Sequence, residues 1–403
     1  MSLFRALRHR SFALLWAGQT ASRLGDSLYQ VALAWWVLQK TGSSVAMGAV
    51  LIFNMTPMLI FLLVGGVMVD RFPRPWLMLV SDLMRGLLLT LASVMAFAGW
   101  LEIWHVYAIS FVFGFVDAFF QPAYRATVPE VTPVEALTSA NSLTSLSGQL
   151  SGIIGPAMGA AIVKLGGTPL TFALDGASFF IGGLGLLPLL KLATSPRSRQ
   201  VPHGMIGDLR EGLGAVLASP WLWVAIAVAG LSNITYAGPM DVALPFLIKD
   251  HLKADVSVLG WFYSLSSLGA VLAAIGLGRT TRIRRRGLKL YGAWMLVGVL
   301  VFAIGWPIGI PGVLAAAFGI GVFNSILGLI WTNSLQEYVP RNLLGRVSSV
   351  DYLGSYLLLP VGFAVGGWAT QQLGPAPVFV IGGALQAALI ALGLCHPQVR
   401  NFD

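Results

Sequence analysis

"GGVMVDRFPR", Gly65–Arg74, joins two long apolar runs. Within ten residues the apolar stretch ends and an acid and two arginines follow. Charges packed into so short a turn, with apolar sequence on either side, mark a chain that leaves a bilayer, reverses and re-enters. Both flanks are therefore read as membrane-spanning helices.

Composition extends this reading to the whole chain. Hydrophobic residues make up 56% of the 403 positions and charged residues 10%, against about 25% charged in soluble domains. Apolar runs of about 20 residues, the length needed to cross a bilayer, fall near 12–38, 46–69, 76–98, 104–123, 142–164 and 171–190. Six more fall near 221–247, 257–277, 289–309, 312–335, 347–371 and 377–395. With the N-terminus placed inside, 19 of the 25 Lys and Arg residues lie in inner segments and 4 outside (Lys40, Lys164, Lys249 and Lys253), while Arg23 and Arg85 lie within spans. Positive charge collects on the cytoplasmic side, so both termini are expected in the cytoplasm. The net charge of +9 is thus a topology signal, and nucleic acid is not an expected partner.

The basic start "MSLFRALRHRSF" leads into a run too long for a signal-peptide core and is expected to stay as the first helix. Cys395 is the only cysteine, so no intramolecular disulfide forms. No Cys/His cluster with metal spacing, Walker loop or dinucleotide fingerprint occurs, so no metal, nucleotide or other cofactor is expected. "GGLGLLPLL" from Gly182 is glycine-rich, but it lies in an apolar span, where it cannot cradle phosphate.

The longest polar interruption runs over 191–219 and divides the chain into bundles at 1–190 and 220–403. Within it Ile206, Leu209, Leu213 and Val216 recur at helical spacing and predict a short amphipathic helix. The halves resemble each other. "SLTSLSGQLSGIIGPAMGAAIVKLGG" and "SVDYLGSYLLLPVGFAVGGWATQQLG" align Gly159 with Gly367 and Gly166 with Gly374, both 208 apart, after Val128-Pro129 and Val339-Pro340 with a three-residue gap. A parallel six-plus-six repeat follows, and such a repeat places a substrate site between the halves near the bilayer midplane. The expected fold is an all-α membrane protein with twelve transmembrane helices in two pseudo-symmetric six-helix bundles.

Polar residues inside the spans locate the interior. Gln19, Arg23, Asp26 and Gln30 are spaced by four, three and four, so they share a narrow stripe of the first helix, which must face protein or water rather than lipid. Ser110, Gly114, Asp117 and Gln121 repeat the spacing in the fourth span, so two helices offer carboxylates to one interior. Asn54, Asn233, Tyr236, Asn324, Trp331, Tyr352 and Tyr356 are further candidates for a cavity wall, although residues of this kind more often make interhelical hydrogen bonds or packing contacts than ligand contacts. Asp175 and Asp241 fall nearer the outer ends of their spans, where partial hydration favours a structural role. Asp82 and Asp351 lie near the cytoplasm, and Asp82 is within helical reach of Arg85.

Two constellations admit a second use. Asp70, followed at once by Arg71 and Arg74, either marks the membrane boundary or meets both guanidinium groups and the positive end of a neighbouring helix to latch one conformation. Gly155, Pro156 and Gly159 permit close helix packing, and Pro156 removes one backbone hydrogen bond. Gly66, Asp70, Arg71 and Arg74 stand in register with Gly-x-x-x-Asp-Arg-x-Gly-Arg, the signature loop of the major facilitator superfamily, with Pro73 in place of glycine. "SGIIGPAMGA" is similar to the Gly-Pro-x-x-Gly-Gly motif of exporters, with Ala160 replacing the last glycine. Together with "SFALLWAGQTASRLGDSL", "QPAYRATVPEVTPVEALTSANSL", "FALDGASFF" and "VPRNLLGRVSS", the whole chain resembles the drug:proton antiporter subgroup that contains macrolide-efflux and enterobactin-exporter proteins. The resemblance implies the major facilitator fold, favours the latch for Gly66–Arg74 as a cytoplasmic gate, and adds a gating bend at Pro156.

The expected function is a proton-coupled secondary exporter, not an enzyme, that moves a hydrophobic or amphipathic small molecule by alternating access. Its partners are the substrate, protons and the bilayer, and it is expected as a monomer in the bacterial inner (plasma) membrane. A lipid or lysophospholipid carrier, facilitated uptake and a non-transporting sensor or scaffold share this topology. Asp26, Arg23 and Asp117 are the proton-coupling candidates. Arg23 and Asp26 either neutralise each other permanently, or Asp26 alternates between environments and exchanges a proton as it does so.

Overall fold

The structure, a computed structural model, describes residues 3–192, 205–278, 284–400 and 402. The surroundings of Gly66 and the side chains of Asp70, Ile206 and Leu209 lie outside the described set. The first four helices are α1 (Arg10–Thr41), α2 (Ser44–Arg71), α3 (Arg74–Phe97) and α4 (Ile103–Glu130). A continuous run, Leu137–Leu186, holds two helices, α5 (137–166) and α6 (168–186), because Gly167 at φ 74°, ψ 175° breaks the helical path. The amphipathic helix α7 (Met205–Leu217) follows, and then α8 (Pro220–His251), α9 (Val256–Gly278), α10 (Arg286–Ile304), α11 (Gly309–Tyr338), α12 (Leu344–Leu373) and α13 (Pro375–Leu394). Ten runs among the described residues are long and apolar enough to cross a membrane. Separating α5 from α6 and adding α1, whose polar stripe lowers its hydropathy, makes twelve.

Local chemistry ends these helices where the sequence changes. Gly42 closes α1 in the left-handed region at φ 60°, its N–H bonded to Leu38 O at 3.1 Å, a conformation that glycine adopts without a Cβ clash. Ser43 caps α2 by accepting the Ala46 N–H at 3.2 Å, and Glu102 with His105 forms a capping box on α4. At the α2–α3 turn Phe72 is extended (φ −112°, ψ 153°), as a residue before proline prefers, and Pro73 at φ −59° precedes the first turn of α3. The glycine usual at this position in the family is therefore not required for the turn.

The contacts divide the chain into two units: Met1–Arg197 with Ala254–Ser264, and Ser198–Lys253 with Leu265–Asp403. In the first, α1 packs along both α5 and α6. A Cβ on Gly159 would stand 2.9 Å from Leu28 Cα and Leu28 O, and one on Gly18 would stand 3.2 Å from Gly182 Cα, so backbone lies against backbone. Residues 254–264, which the sequence assigns to the second half, group with α5 in this unit. Gly260 abuts Pro156 O, Ser264 Oγ accepts the Ala157 N–H at 3.1 Å, and Lys164 pairs with Asp255 at 2.9 Å. The hydrogen bond from Lys164, with one from the Ser257 N–H, holds the Asp255 carboxyl below its usual range. Both side chains are more than half exposed, so this pair contributes little to stability. Inside the run from 137 to 186 only Gly167 has non-helical backbone angles, so Pro156 lies within α5 without ending it.

In the second unit α8 widens into π turns at Gly238–Ala243 and Leu247–His251, around Pro239 and Pro245. The linker helix α7 lies against α12: Gly212 abuts the Arg346 backbone, and Glu211 pairs with Arg346 at 2.6 Å. Val216 is buried with Leu222 and Ile226. Leu213 is 45% exposed, so the apolar stripe predicted for this helix is only partly covered by protein.

The repeat is real in its packing, and its register differs by one residue from the sequence alignment. Gly155, Gly159 and Gly167 correspond to Gly362, Gly366 and Gly374, each 207 residues later. Gly155 and Gly159 face Ser27 and Leu28 of α1, Gly362 and Gly366 face Ile234 and Gly238 of α8, and Gly167 and Gly374 both have positive φ, 74° and 83°. The glycine pairs 166–167 and 366–367 leave the register ambiguous in sequence, and the requirement for positive φ at the break resolves it.

Candidate functional site

In the first unit, α1, α3 and α4 bring charged side chains around one cavity of about 110 Å³, lined by Gln19, Ser22, Arg23, Asp26, Arg85, Asp117, Phe120, Gln121 and Tyr124. The two polar stripes read from the sequence supply five of these residues. Ser22, Arg85, Phe120 and Tyr124 are the additions that sequence reasoning missed as site residues, and Arg85 of α3 is the charged one. Its guanidinium donates to Asp82 Oδ1 at 2.8 Å and to Asp117 Oδ1 at 3.0 Å, and it is sandwiched between the rings of Phe120 (4.2 Å) and Phe179 (4.4 Å). With only 4% of its side chain exposed, it is a buried cation held by two carboxylates and two aromatic faces. The helical spacing of Asp82 and Arg85 signalled the first pair, but nothing local signals the second, because Asp117 lies 32 positions away.

Asp82 is 0% exposed, not at the hydrated boundary expected for it, and its Oδ2 accepts from Gln19 Nε2 at 3.0 Å. The stripe of α1 is thereby tied to the charges of α3 and α4. Arg23 does not pair with Asp26: it donates to Thr144 O at 2.9 Å and lies over the Tyr124 ring at 5.0 Å. Asp26 stands exposed to the cavity, without an ion-pair or hydrogen-bond partner among the described residues. Gln121 and Gln30 are also exposed, and Gln30 lies outside the cavity lining.

The other candidates divide. Asn54 Nδ2 donates to Ser110 O at 3.4 Å and Asn233 Nδ2 to Ser355 O at 2.7 Å, so both tie helices together. Trp331 Nε1 donates to Asp351 Oδ2 at 3.0 Å. The Tyr352 and Tyr356 rings meet at a tilt with centroids 4.8 Å apart, and Asn324 Nδ2 donates to the Tyr236 hydroxyl at 3.3 Å. Near the α2–α3 turn, Arg71 is exposed, while Arg74 donates to Ala126 O at 3.1 Å and pairs with Glu130 of α4 at 2.5 Å.

The repeat shows how unequal the two units are. Gly114 packs on Asn54 O and Gly321 on Ser266 O; Gly86 meets Gly176 and Gly298 meets Gly383. Extending these registers matches Asp117 with Asn324, Asp26 with Tyr236, Arg23 with Asn233, Arg85 with Val297 and Asp82 with Trp294. The hydrogen-bonded Asn324–Tyr236 pair thus occupies, uncharged, the places that Asp117 and Asp26 hold in the first unit. Among the described residues no group of three His, Cys, Asp or Glu side chains could hold a metal ion.

The family model of the Major Facilitator Superfamily matches residues 15–350 and 227–399. Macrolide efflux protein A of Streptococcus pyogenes is 23% identical over 400 residues, covering 97% of this chain and 96% of that protein. The multidrug efflux pump Tap of Mycolicibacterium fortuitum is 26% identical over 402 residues, covering 97% and 96%, and the enterobactin exporter EntS of Escherichia coli is 26% identical over 410 residues, covering 98% and 96%. Among solved structures, a POT family transporter in complex with a thioalcohol-conjugated peptide superposes with a TM-score of 0.74 at 12% identity, over 97% of this chain and 96% of that one. A bacterial homologue of the iron transporter ferroportin, in an inward-facing state, gives 0.71 at 15% identity, over 96% and 99%.

Proposed function

The chain belongs to the major facilitator superfamily, and on that premise we propose that this multi-pass membrane transporter is a proton-coupled exporter of hydrophobic or amphipathic small molecules. Efflux is favoured by the relatives, named as macrolide, multidrug and enterobactin exporters, and by the Gly155-Pro156-x-x-Gly159 motif. The excess of Lys and Arg in the inner segments favours both termini on the cytoplasmic side, and we take the membrane as a bacterial inner one and the protein as a monomer.

Coupling rests on one observation: Asp26 faces a charged cavity with no partner, while Arg85 is already engaged by Asp82 and Asp117. A cavity of about 110 Å³ has room for a few waters but falls below the roughly 300 Å³ that a drug-sized ligand needs. It is suited to hydrating and exchanging a proton. An intramembrane carboxylate that moves between water and a dry environment ties its protonation to conformation. The neutral aromatic and amide groups of the second unit, Tyr236, Asn324, Tyr352 and Tyr356, are suited to the apolar substrate.

The test uses cells lacking their own pumps and then the purified protein with a pH dye. A drug-susceptibility and accumulation screen first identifies a substrate and its direction of movement. That substrate is expected to release protons from the parent protein. The Asp26→Asn protein is expected to bind it yet lose proton release and proton-driven export, while Asp117→Asn keeps part of the coupling. Equal proton release from Asp26→Asn and parent assigns Asp26 a structural role, and accumulation instead of efflux overturns the exporter reading.

A further inference from the structure

Asp175, expected from the sequence in a partly hydrated outer position, is 0% exposed in the structure. The difference arises because α6 packs face-on against α1, where Gly25 opens room for it: a Cβ on Gly25 would collide with Asp175 Oδ1 and Ser178 Oγ. Oδ1 accepts from Ser178 Oγ at 3.1 Å, and Oδ2 receives no donor. Among the described residues no Lys, Arg or His lies within ion-pair distance of it. The ionisable and charged groups around it are Asp26 and Tyr29 on α1 and Arg85 on α3, the last engaged by Asp82 and Asp117.

We propose that Asp175 is a second proton-carrying carboxylate of the first unit, holding a proton in this conformation and giving it up when α1 and α6 part. An ionised carboxylate buried with one oxygen unpartnered and no cation beside it carries a large desolvation cost, which the neutral acid avoids. The fold does not demand a carboxylate there. By the 207-residue register Asp175 corresponds to Gly382, and Gly382 sits against Pro239 and Thr235 of α8 much as Asp175 sits against Gly25. The second unit makes the same helix contact with no side chain at all. Asp175 is also lodged against Gly25, the residue next to Asp26, so parting α1 from α6 opens Asp175 to the water that Asp26 already faces. On separation the proton passes from Asp175 to that water, leaving the carboxylate, and returns when the helices close.

This inference deepens the coupling reading and rests on it for its meaning, so the experiment has two arms. Infrared spectra of the protein in vesicles, recorded from acidic to alkaline pH, are expected to show the carbonyl stretch of a buried protonated acid that fades as pH rises. That band is expected to be lost in Asp175→Asn and in Asp175→Gly, the latter reproducing the residue type of Gly382, and to remain in Asp26→Asn. A band that survives both Asp175 substitutions overturns the proposal, and so does one that is insensitive to pH, which marks a permanently protonated structural group. In the second arm erythromycin, as a macrolide probe, is added to detergent-solubilised protein with a pH dye; fewer protons per molecule are expected from Asp175→Asn than from the parent, and an equal number overturns the carrier role. If the parent itself releases none, the exporter reading fails for this probe while the infrared arm still decides Asp175.

Discussion

Arg85 is the residue on which the charge arrangement turns. Two carboxylates and two ring faces surround a guanidinium that has almost no access to solvent. Removing one member of a buried pair costs about 3–5 kcal/mol, because the remaining charges stay buried without compensation. Arg85→Met is therefore expected to lower thermal stability strongly and to reduce membrane-inserted protein. Arg85→Lys keeps the charge but loses the fork that reaches Asp82 and Asp117 together, and a melting temperature between those of the parent and Arg85→Met is expected. A melting curve for Arg85→Met that matches the parent shows that the cluster does not hold α3 to α4. Asp82 and Arg85 could be paired from their spacing alone, whereas the tie to Asp117 could not, since it depends on how α3 lies beside α4.

Helix contacts in both units are made by glycines, and their positions follow the repeat. Gly159 is the clearest case: a Cβ there already comes within 2.9 Å of the Leu28 backbone. Gly159→Leu forces α1 and α5 apart, and overpacking of this kind costs roughly 1–3 kcal/mol. A lowered melting temperature together with reduced transport is expected; normal values of both would place Gly159 toward lipid. The sequence motif identified the packing surface, but it named neither the partner helix nor the one-residue register of the repeat. Those came from the positive φ at Gly167 and Gly374, a backbone requirement that a side-chain alignment does not record.

Across the whole molecule the two bundles share one plan and differ in charge. The first carries Arg23, Asp26, Asp82, Arg85 and Asp117; the equivalent places in the second hold Asn233, Tyr236, Trp294, Val297 and Asn324. On the proposed function, the charged bundle is the one assigned to the proton and the neutral bundle the one assigned to the substrate. The Gly66–Arg74 loop is the expected conformational latch on the inner side. Arg74 bonds to Glu130 and to Ala126 O, which anchors the loop to α4, and Asp70→Asn is expected to shift the balance of conformations and reduce transport while the protein stays folded and inserted. Labelling of a cysteine placed on the inner side reports the shift; unchanged labelling in Asp70→Asn removes the latch.

By itself the sequence determined that this chain crosses a membrane many times, where most of its helices run, that its halves repeat and which superfamily it resembles. These follow from properties carried along the chain: apolar length, the distribution of Lys and Arg, and glycine and proline at turns. Only the tertiary structure decided that Arg85 completes the site, that Arg23 and Asp26 are not partners, that Asn54 and Asn233 join helices, and that Asp175 is dry. Each depends on which faces of separate helices meet, and Gly25, Gly159 and Gly167 set those meetings through close backbone approach or a break in the helix. A side chain's depth along its own helix says little about its hydration until the neighbouring helix is in place.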